Sequence, residues 1–271
     1  KHLVIVPDAD GVAKNIEFGK EVLSRNSAFV EDALRTKLGK VDWLFVLAGG
    51  GGGTGSACSV LHETFERYLS SVGGTGKVFY IMTWPSAQES LNHTIVKNAF
   101  SLSNDIAEYP HIVLSNERQL GFLRGKVGIA NMFPTANTAF AKLFHQILKL
   151  SSEQSSIQTF DSKDLERCLK TPKRTFIGAT LIQNAKSPNL GSEIFQNCVK
   201  KSPCYEMKGN PKTGTLLLVI SPEMAADPDI GSNLAAASSY VGGRTETLFS
   251  GIYVKENIPG LIAVLSMSGL D

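Results

Sequence analysis

Ala48–Ser56 reads AGGGGGTGS, and this run of glycines lies directly between an apolar segment and a helical pattern. The apolar segment, Trp43–Ala48, has the length and composition of a buried strand. Glycines can adopt positive φ and bring successive backbone N–H groups against a phosphate, and the helix that begins near Thr54 adds partial positive charge. A flexible linker would not be held between a strand and a helix. The stretch therefore predicts a phosphate-binding loop and a nucleotide-binding protein.

The first half of the chain alternates short apolar runs with helical patterns, which is typical of a parallel sheet covered by helices on both faces. The predicted strands are Leu3–Val6, Trp43–Ala48, Val78–Met82 and Ile112–Leu114. The predicted helices are Phe18–Leu38, Gly55–Leu69, Ser86–Ala107 and a long one at Pro134–Leu150.

The second half has a different pattern and predicts a smaller α+β unit. Its expected elements are helix Asp161–Leu169, strand Thr175–Leu181, helix Ser192–Lys200, strand Thr215–Ile220, helix Ile230–Tyr240 and strands Glu246–Val254 and Leu261–Met267. The last two strands follow each other directly, which favours an antiparallel pair. We therefore expect an α/β protein with a parallel-sheet, Rossmann-like nucleotide-binding domain at 1–150, including the long central helix, and a C-terminal domain at 151–271.

Composition restricts the function classes. The 271 residues carry 27 Lys and Arg against 25 Asp and Glu, with no long basic run, so nothing favours direct binding of nucleic acid. No apolar stretch approaches the roughly 20 residues of a membrane span. The four cysteines form no CxxC pair, which favours reduced, separately buried thiols and a cytoplasmic location.

Two common nucleotide motifs fit the glycine loop poorly. A Walker A loop requires a Gly-Lys-Ser/Thr ending, which does not follow these glycines. Gly50, Gly52 and Gly55 satisfy the dinucleotide pattern GxGxxG, but that pattern also needs an acid at the end of the next strand to hold the ribose. The next strand ends in Met82–Pro85, without an acid. A Rossmann-type oxidoreductase therefore stays a less favoured alternative.

The hexapeptide Gly51–Ser56, GGGTGS, resembles the signature loop of the tubulin/FtsZ superfamily of GTPases. Flanking segments are similar to other family motifs in the same order, namely Asn15–Gly19, Thr83–Pro85, Leu114–Glu117, Phe133–Asn137 and the closing strand Ile262–Gly269. The resemblance covers essentially the whole chain. The family's first strand and first glycine loop are expected upstream of Lys1, and the γ-phosphate loop, Asp8–Lys14, has fewer glycines than is usual.

The resemblance implies a set of residues that contact GTP or GDP, with Mg²⁺ expected alongside GTP. For the phosphates these are Gly11, Asn15, Gly50, Gly51, Gly52, Gly53, Thr54, Gly55 and Ser56. For the ribose they are Thr83, Pro85 and Glu89, with His93 one turn beyond Glu89. For guanine they are Asn116, Phe133 and Asn137, while Thr138 stands where an Asp is common. Ordinary roles compete with these: Phe133 as core, Asn116 as a helix cap, and Glu89 with His93 as a surface ion pair.

Asp161 and Asp164 fall on the two acidic positions of the loop that follows the family's central helix. In the family these acids act on the nucleotide of the next subunit, so the resemblance implies catalysis completed on head-to-tail polymerisation. Helix capping alone is the competing role.

The expected protein is a GTPase that forms filaments for DNA segregation or cell division, with an adaptor to DNA or membrane as a possible partner. Thr159–Pro172 resembles plasmid- or phage-borne members slightly more than cell-division members. A regulatory member that binds nucleotide without hydrolysis is the other alternative.

Overall fold

The computed structural model describes residues 3–7 and 11–271, which divide into two compact units, Lys1–Glu117 and Arg118–Asp271. The division falls between 117 and 118, whereas the sequence suggested a boundary after the long helix. The functional division at 1–150 and 151–271 stays a prediction. Among the described residues, no helix combines the length and apolar character needed to cross a membrane.

The first unit contains a parallel sheet with strand order β1-β2-β3. The strands are β1 (Leu44–Gly49), β2 (Val78–Trp84) and β3 (His111–Ser115). The helices are α1 (Ile16–Arg25), α2 (Ser27–Leu38), α3 (Gly53–Ala57), α4 (His62–Ser71) and α5 (His93–Asp105), with 3-10 turns at Cys58–Leu61 and Glu89–Leu91. Five consecutive residues of β2 are buried, as expected of a strand covered on both faces.

The second unit contains a mixed sheet in the order β4-β7-β5-β6. The strands are β4 (Arg174–Ile182), β5 (Thr213–Ile220), β6 (Thr247–Val254) and β7 (Leu261–Leu270). Helix α6 (Asn116–Leu123) crosses the division between the units. The helices after it are α7 (Met132–Leu150), α8 (Ser162–Lys170), α9 (Leu190–Lys201), α10 (Pro222–Ala225) and α11 (Pro228–Gly242). The chain is thus a mixed α/β protein, as the sequence predicted.

Several sequence expectations are wrong in detail, among them the helix predicted at Ser86–Ala107, which begins only at His93, after a 3-10 turn and an extended residue at Asn92. Leu3–Val6 is not a strand, since Leu3 and Ile5 are 82% and 72% exposed and the run makes no strand pairing among the described residues. The helix predicted at Phe18–Leu38 is two helices separated at Asn26, whose side-chain amide donates to the Val22 carbonyl. An apolar run supplies a strand's composition, but pairing also requires a partner backbone.

A further error concerns the last two strands, which do not pair with each other. β7 lies between β4 and β5 and is antiparallel to both, whereas β6 is parallel to β5. The chain therefore leaves β6 at the sheet's end and returns β7 to its middle. β7 is correspondingly the more buried strand, with nine of its ten positions buried.

The four cysteines are free thiols, as predicted. Cys168, Cys198 and Cys204 are buried, and burial raises the pKa of Cys168 to about 11 and that of Cys198 to about 12. These thiols are therefore protonated at neutral pH and act as small apolar side chains.

Candidate nucleotide-binding site

The glycine loop lies at the carboxyl end of β1, beside the carboxyl end of β2. Gly49 is in register with Thr83, and the Gly50 amide donates to the Thr83 carbonyl at 3.0 Å. The fully buried Ser56 closes the loop, because its hydroxyl donates to the Gly50 carbonyl at 2.7 Å. In open α/β sheets, ligands bind at this carboxyl edge. The loop thus occupies the expected position for a nucleotide.

Close packing, and not positive φ, explains why most positions of the loop are occupied by glycine. None of the glycines at 49–53 or at 55 has positive φ, so the expectation that they serve to adopt that conformation is wrong. A Cβ at Gly51 would lie 2.6 Å from Cγ2 of Ile95, and one at Gly53 would lie 2.4 Å from Cγ2 of Val12. A Cβ at Gly55 would lie 2.6 Å from the Gly49 carbonyl oxygen. The loop therefore packs closely against Val12 on one segment and Ile95 on another, and this packing restricts its backbone.

Gly52 is the exception within the loop, since a Cβ there would meet nothing within 4 Å. It is the N-cap of α3, with φ −84° and ψ 160°. The N–H groups of the first helical turn, at Gly53, Thr54 and Gly55, have no acceptor within the helix. Thr54 is exposed, whereas the hydroxyl of Ser56 is used inside the loop. The open side of the loop at Gly52 therefore offers backbone donors and one hydroxyl to an anion.

The segment before α1 packs against the same loop. A Cβ at Gly53 would lie 3.1 Å from the Asn15 amide nitrogen, which places the predicted γ-phosphate segment at the start of α3. Asn15 caps α1, because its side chain accepts from the Phe18 amide at 3.1 Å. Gly11 has φ +112°, while Asp8 to Asp10 of this predicted loop lie outside the described residues.

Backbone strain is concentrated immediately before Asn15. Ala13 and Lys14 have φ of 41° and 66°, a left-handed conformation that is unfavourable for residues with a Cβ. Such strain persists only where the surroundings hold it. Here the turn is closed by a hydrogen bond from the Asn15 amide to the Val12 carbonyl, at 2.6 Å.

Asn98 is the residue that sequence reasoning missed. It is only 1% exposed, and its amide donates to the Lys14 carbonyl at 2.9 Å and to the Gly51 carbonyl at 3.4 Å. One buried side chain of α5 thereby ties the strained turn to the glycine loop. The signal that could have identified it is an amide on an otherwise apolar helical stripe, at Ile95, Asn98, Ala99 and Leu102.

A second polar cluster lies where β2 and β3 end. Oε2 of Glu89 accepts from the Ser86 amide at 2.8 Å and from the Asn116 side chain at 3.2 Å. The predicted ribose acid and the predicted guanine-reading amide are therefore in direct contact. Glu89 hydrogen-bonds with Ser86 and Asn116 and does not form the predicted pair with His93. Pro85 is buried at the turn between β2 and this cluster.

The Glu89 cluster makes a pH-dependent contribution to stability. Burial raises the pKa of Glu89, but hydrogen bonds from the Ser86 backbone and from Asn116 outweigh it and hold the pKa below its ordinary value. A carboxyl with a depressed pKa stabilises the folded state above its unfolded pKa, which is about 4.3 for Glu, and that contribution disappears as the pH falls through the folded pKa.

We therefore expect Glu89→Gln to lower the free energy of unfolding by about 1 kcal/mol at pH 7, because charge-assisted hydrogen bonds become neutral ones. The difference from wild type should shrink towards zero at pH 3. Urea unfolding at the two pH values measures it, with the exposed Glu256→Gln as the control. An equal loss at both pH values would contradict the ionised role of Glu89.

The predicted base-contacting residues of α7 belong to the second unit. Phe133 is 46% exposed and Asn137 is exposed one turn later, whereas Ala136 and Phe140 carry the buried face. Phe133 is therefore not a core residue, which removes the competing explanation for it. The i, i+4 spacing puts the ring and the amide on one helical face.

Asp161 and Asp164 form a capping box at the start of α8. The Asp161 side chain accepts from the Lys163 and Asp164 amides at 2.8 Å and 3.0 Å, and Asp164 accepts from the Asp161 amide at 3.3 Å. The segment that precedes Asp161 is held by Tyr253 of β6. The Tyr253 hydroxyl donates to the Leu150 carbonyl at 2.8 Å and accepts from the Phe160 amide at 3.0 Å. Tyr253 thus fixes both ends of the connection that delivers Asp161. Capping is demonstrated, and a catalytic role stays a prediction.

The described part of the chain contains no group of three or more His, Cys, Asp or Glu side chains placed to hold a metal ion. Mg²⁺ in nucleotide sites is bound largely by phosphates and water with one or two protein ligands. The glycine loop suits a polyphosphate, since the N–H groups of the first turn of α3 have no acceptor within the helix and a Cβ at Gly52 would meet no protein atom within 4 Å.

Comparisons with known proteins place this geometry in a wider group. No family model matches the chain. The tubulin-like protein CetZ of Methanothrix thermoacetophila is 25% identical over 269 residues, which covers 97% of this chain and 69% of the relative. A GTPγS-bound protofilament of CetZ2 from Haloferax volcanii gives a TM-score of 0.74 at 18% identity, over 96% of this chain and 75% of that one. A GTPγS-form protofilament of TubZ from Bacillus thuringiensis serovar israelensis gives 0.75 at 16% identity, over 98% and 75%.

The fold is therefore that of the tubulin-like proteins, with the glycine loop at the carboxyl edge of its parallel strands. The CetZ homologue and the structural neighbours together support the chain as a member of the tubulin/FtsZ superfamily, as the order of its motifs indicated. This is a family of cytoskeletal GTPases.

Proposed function

We propose that this chain binds GTP and GDP, hydrolyses GTP, and polymerises head-to-tail into cytoplasmic filaments. The observation that carries the proposal is the glycine loop. It is closely packed at Gly51 and Gly53, whereas a Cβ at Gly52 would meet no protein atom within 4 Å, and the N–H groups of the helix start that follows have no helical acceptor. Similar proteins have been solved with GTPγS and in a GDP form, which supports a guanine nucleotide as the ligand.

The residues take distinct roles in this proposal. The loop and the Asn15 segment bind the phosphates, and Asn98 holds these two segments in register. Glu89 contacts the ribose, while Asn116, Phe133 and Asn137 contact the base. A charged acceptor contributes about 1.5–3 kcal/mol per hydrogen bond, so three or four loop donors suffice for a polyphosphate. Mg²⁺ accompanies GTP through phosphate and water ligands.

Hydrolysis depends on Asp161 and Asp164 supplied by the neighbouring subunit. Phosphoryl transfer requires mainly a positioned water and complementary charge, which two carboxylates at a fixed helix start can provide. A head-to-tail contact joins two different surfaces and produces open filaments when its rotation does not close. Protofilaments of CetZ2 and a two-stranded filament of TubZ support self-association of this kind. DNA segregation or cell division, through an adaptor, is the proposed use.

A second function, nucleotide binding without hydrolysis, is favoured by one observation. Both acids are already engaged in the capping box, so their carboxylates have a structural role that does not need a substrate. In this case the chain would be a regulatory member of its family.

The dependence of GTP turnover on protein concentration distinguishes the two functions. We expect the rate per subunit to rise sharply above a threshold concentration, because each site is completed by a neighbour. Electron microscopy with GTP should show filaments above the same threshold concentration. Samples with GDP and without nucleotide are the controls. A rate that stays flat and near zero while filaments form would favour the regulatory function.

A further inference from the structure

The connection between α7 and α8, residues 151–161, lies along β6 at the end of the sheet. β6 is the last strand in the sheet order and pairs with β5 along one edge. On its other edge the Ile252 amide donates to the Gln158 carbonyl at 2.8 Å, and the Ser155 hydroxyl donates to the Ile252 carbonyl. Gln158 and Ile252 thereby form an antiparallel bridge. The connection covers this part of the sheet edge and is held in place by it.

Phe160, the residue before Asp161, is held by β6 in two ways. It is fully buried, and a Cβ at Gly251 would lie 2.9 Å from its Cβ, so the backbone of β6 approaches it closely. The Tyr253 hydroxyl accepts from the Phe160 amide at 3.0 Å and donates to the Leu150 carbonyl at 2.8 Å. Burial raises the pKa of Tyr253, so this hydroxyl stays protonated at neutral pH and remains a donor. One buried hydroxyl thus joins the last residue of α7 to the residue that precedes the cap of α8.

These contacts determine where the Asp161 carboxylate lies. Asp161 is exposed, and the amides of Lys163 and Asp164 both donate to its Oδ1, so the carboxylate is held against the first turn of α8. The start of that turn is in turn set by the Phe160 peptide that Tyr253 binds. In reactions that depend on placement, a displacement of about 1 Å can cost about 100-fold in rate. A contact that sets the position of Asp161 therefore affects hydrolysis from inside the protein.

We propose that Tyr253 is a positioning residue for GTP hydrolysis, which it supports by holding Asp161 in place through its hydrogen bonds with Phe160 and Leu150. The inference rests on the proposed function, because the position of Asp161 matters for turnover only if Asp161 supplies the catalytic acid. Tyr253 acts on the acid and not on the nucleotide. GTP affinity and the threshold concentration for filaments are therefore independent of its hydroxyl.

Tyr253→Phe tests this role, since it removes the hydroxyl and keeps the ring. Turnover per subunit above the filament threshold should fall by at least about tenfold through misplacement of the acid. Binding of a fluorescent GTP analogue and the threshold itself should stay those of wild type. Tyr68→Phe is the matched control, because Tyr68 is also buried and its hydroxyl donates to the Gly39 carbonyl at 2.7 Å, outside the connection. The unfolding midpoint should fall in both variants, but turnover should fall only in Tyr253→Phe.

Ser155→Ala tests the connection at a second point. Ser155 is half-buried, and its hydroxyl also accepts from the Ile157 and Gln158 amides at 3.0 Å and 3.2 Å. This variant should fold and should lower turnover less than Tyr253→Phe does, again at unchanged GTP affinity. If Tyr253→Phe does not fold, normal turnover in Ser155→Ala overturns the proposal.

The outcomes separate this inference from the proposed function. Normal turnover in folded Tyr253→Phe, an equal loss in Tyr68→Phe, or a loss accounted for by weaker GTP binding would each overturn the role of Tyr253 while hydrolysis by wild type stands. A wild type that forms filaments without turning over GTP would overturn the proposed hydrolysis and this inference together.

Discussion

Gly52→Ala should remove most of the affinity for GTP and leave the fold intact. A Cβ at position 52 meets no protein atom within 4 Å, and φ −84° with ψ 160° suits alanine. The methyl group would instead occupy the open side of the loop, where the proposed phosphate lies. Loss of two charge-assisted hydrogen bonds of about 1.5 kcal/mol each weakens binding about 100-fold. Binding of a fluorescent GTP analogue, with the unfolding midpoint measured in parallel, checks both halves of this prediction.

Two further glycines make the comparison specific. In Gly53→Ala the new Cβ would lie 2.4 Å from Cγ2 of Val12, so we expect a loss of about 1–3 kcal/mol in the free energy of unfolding. Gly231→Ala, at an open position of α11, should stabilise the chain by about 0.5–1 kcal/mol and leave GTP binding unchanged. If Gly52→Ala bound GTP as wild type does, the loop would not be the phosphate site.

The sequence predicted the strand, loop and helix around Gly50–Gly55 because that motif is local. A buried strand, a run of residues without Cβ and a helix start are all encoded within about 20 residues. The reason for the glycines was not local, since Ile95 and Val12 restrict the space at Gly51 and Gly53 from other parts of the chain. Sequence spacing alone does not reveal such contacts.

Pairing partners show the same limit. The pattern of Leu261–Met267 predicted a strand correctly, but its place between β4 and β5 depends on long-range backbone hydrogen bonds. Asn98 was missed because a buried amide and a solvated amide look alike in a sequence. Leu3–Val6 has the composition of a strand, yet composition does not supply a partner. Local chemistry was therefore predictable, while tertiary neighbours were not.

Asp161→Asn should reduce GTP turnover by at least about 100-fold and barely change stability. Asn caps a helix about as well as Asp, so the bonds from the Lys163 and Asp164 amides can persist. What disappears is the negative charge, and a positioned acid or base contributes about 10²–10⁴ in rate. Turnover above the filament threshold, together with the unfolding midpoint, tests this. Normal turnover in Asp161→Asn would mean that Asp161 is only a cap.

Mixing two inactive variants tests whether the acid acts on a neighbouring subunit. Asp161→Asn retains the phosphate loop, whereas Gly52→Ala retains the acids. If each site combines one subunit's loop with the next subunit's acid, an equal mixture should recover about a quarter of wild-type turnover, since half of the loops and half of the acids are intact. Labelled Gly52→Ala must sediment with the filaments, which confirms copolymerisation. Copolymers that remain inactive would place loop and acid in the same subunit, because a site assembled within one chain cannot be restored by its neighbour.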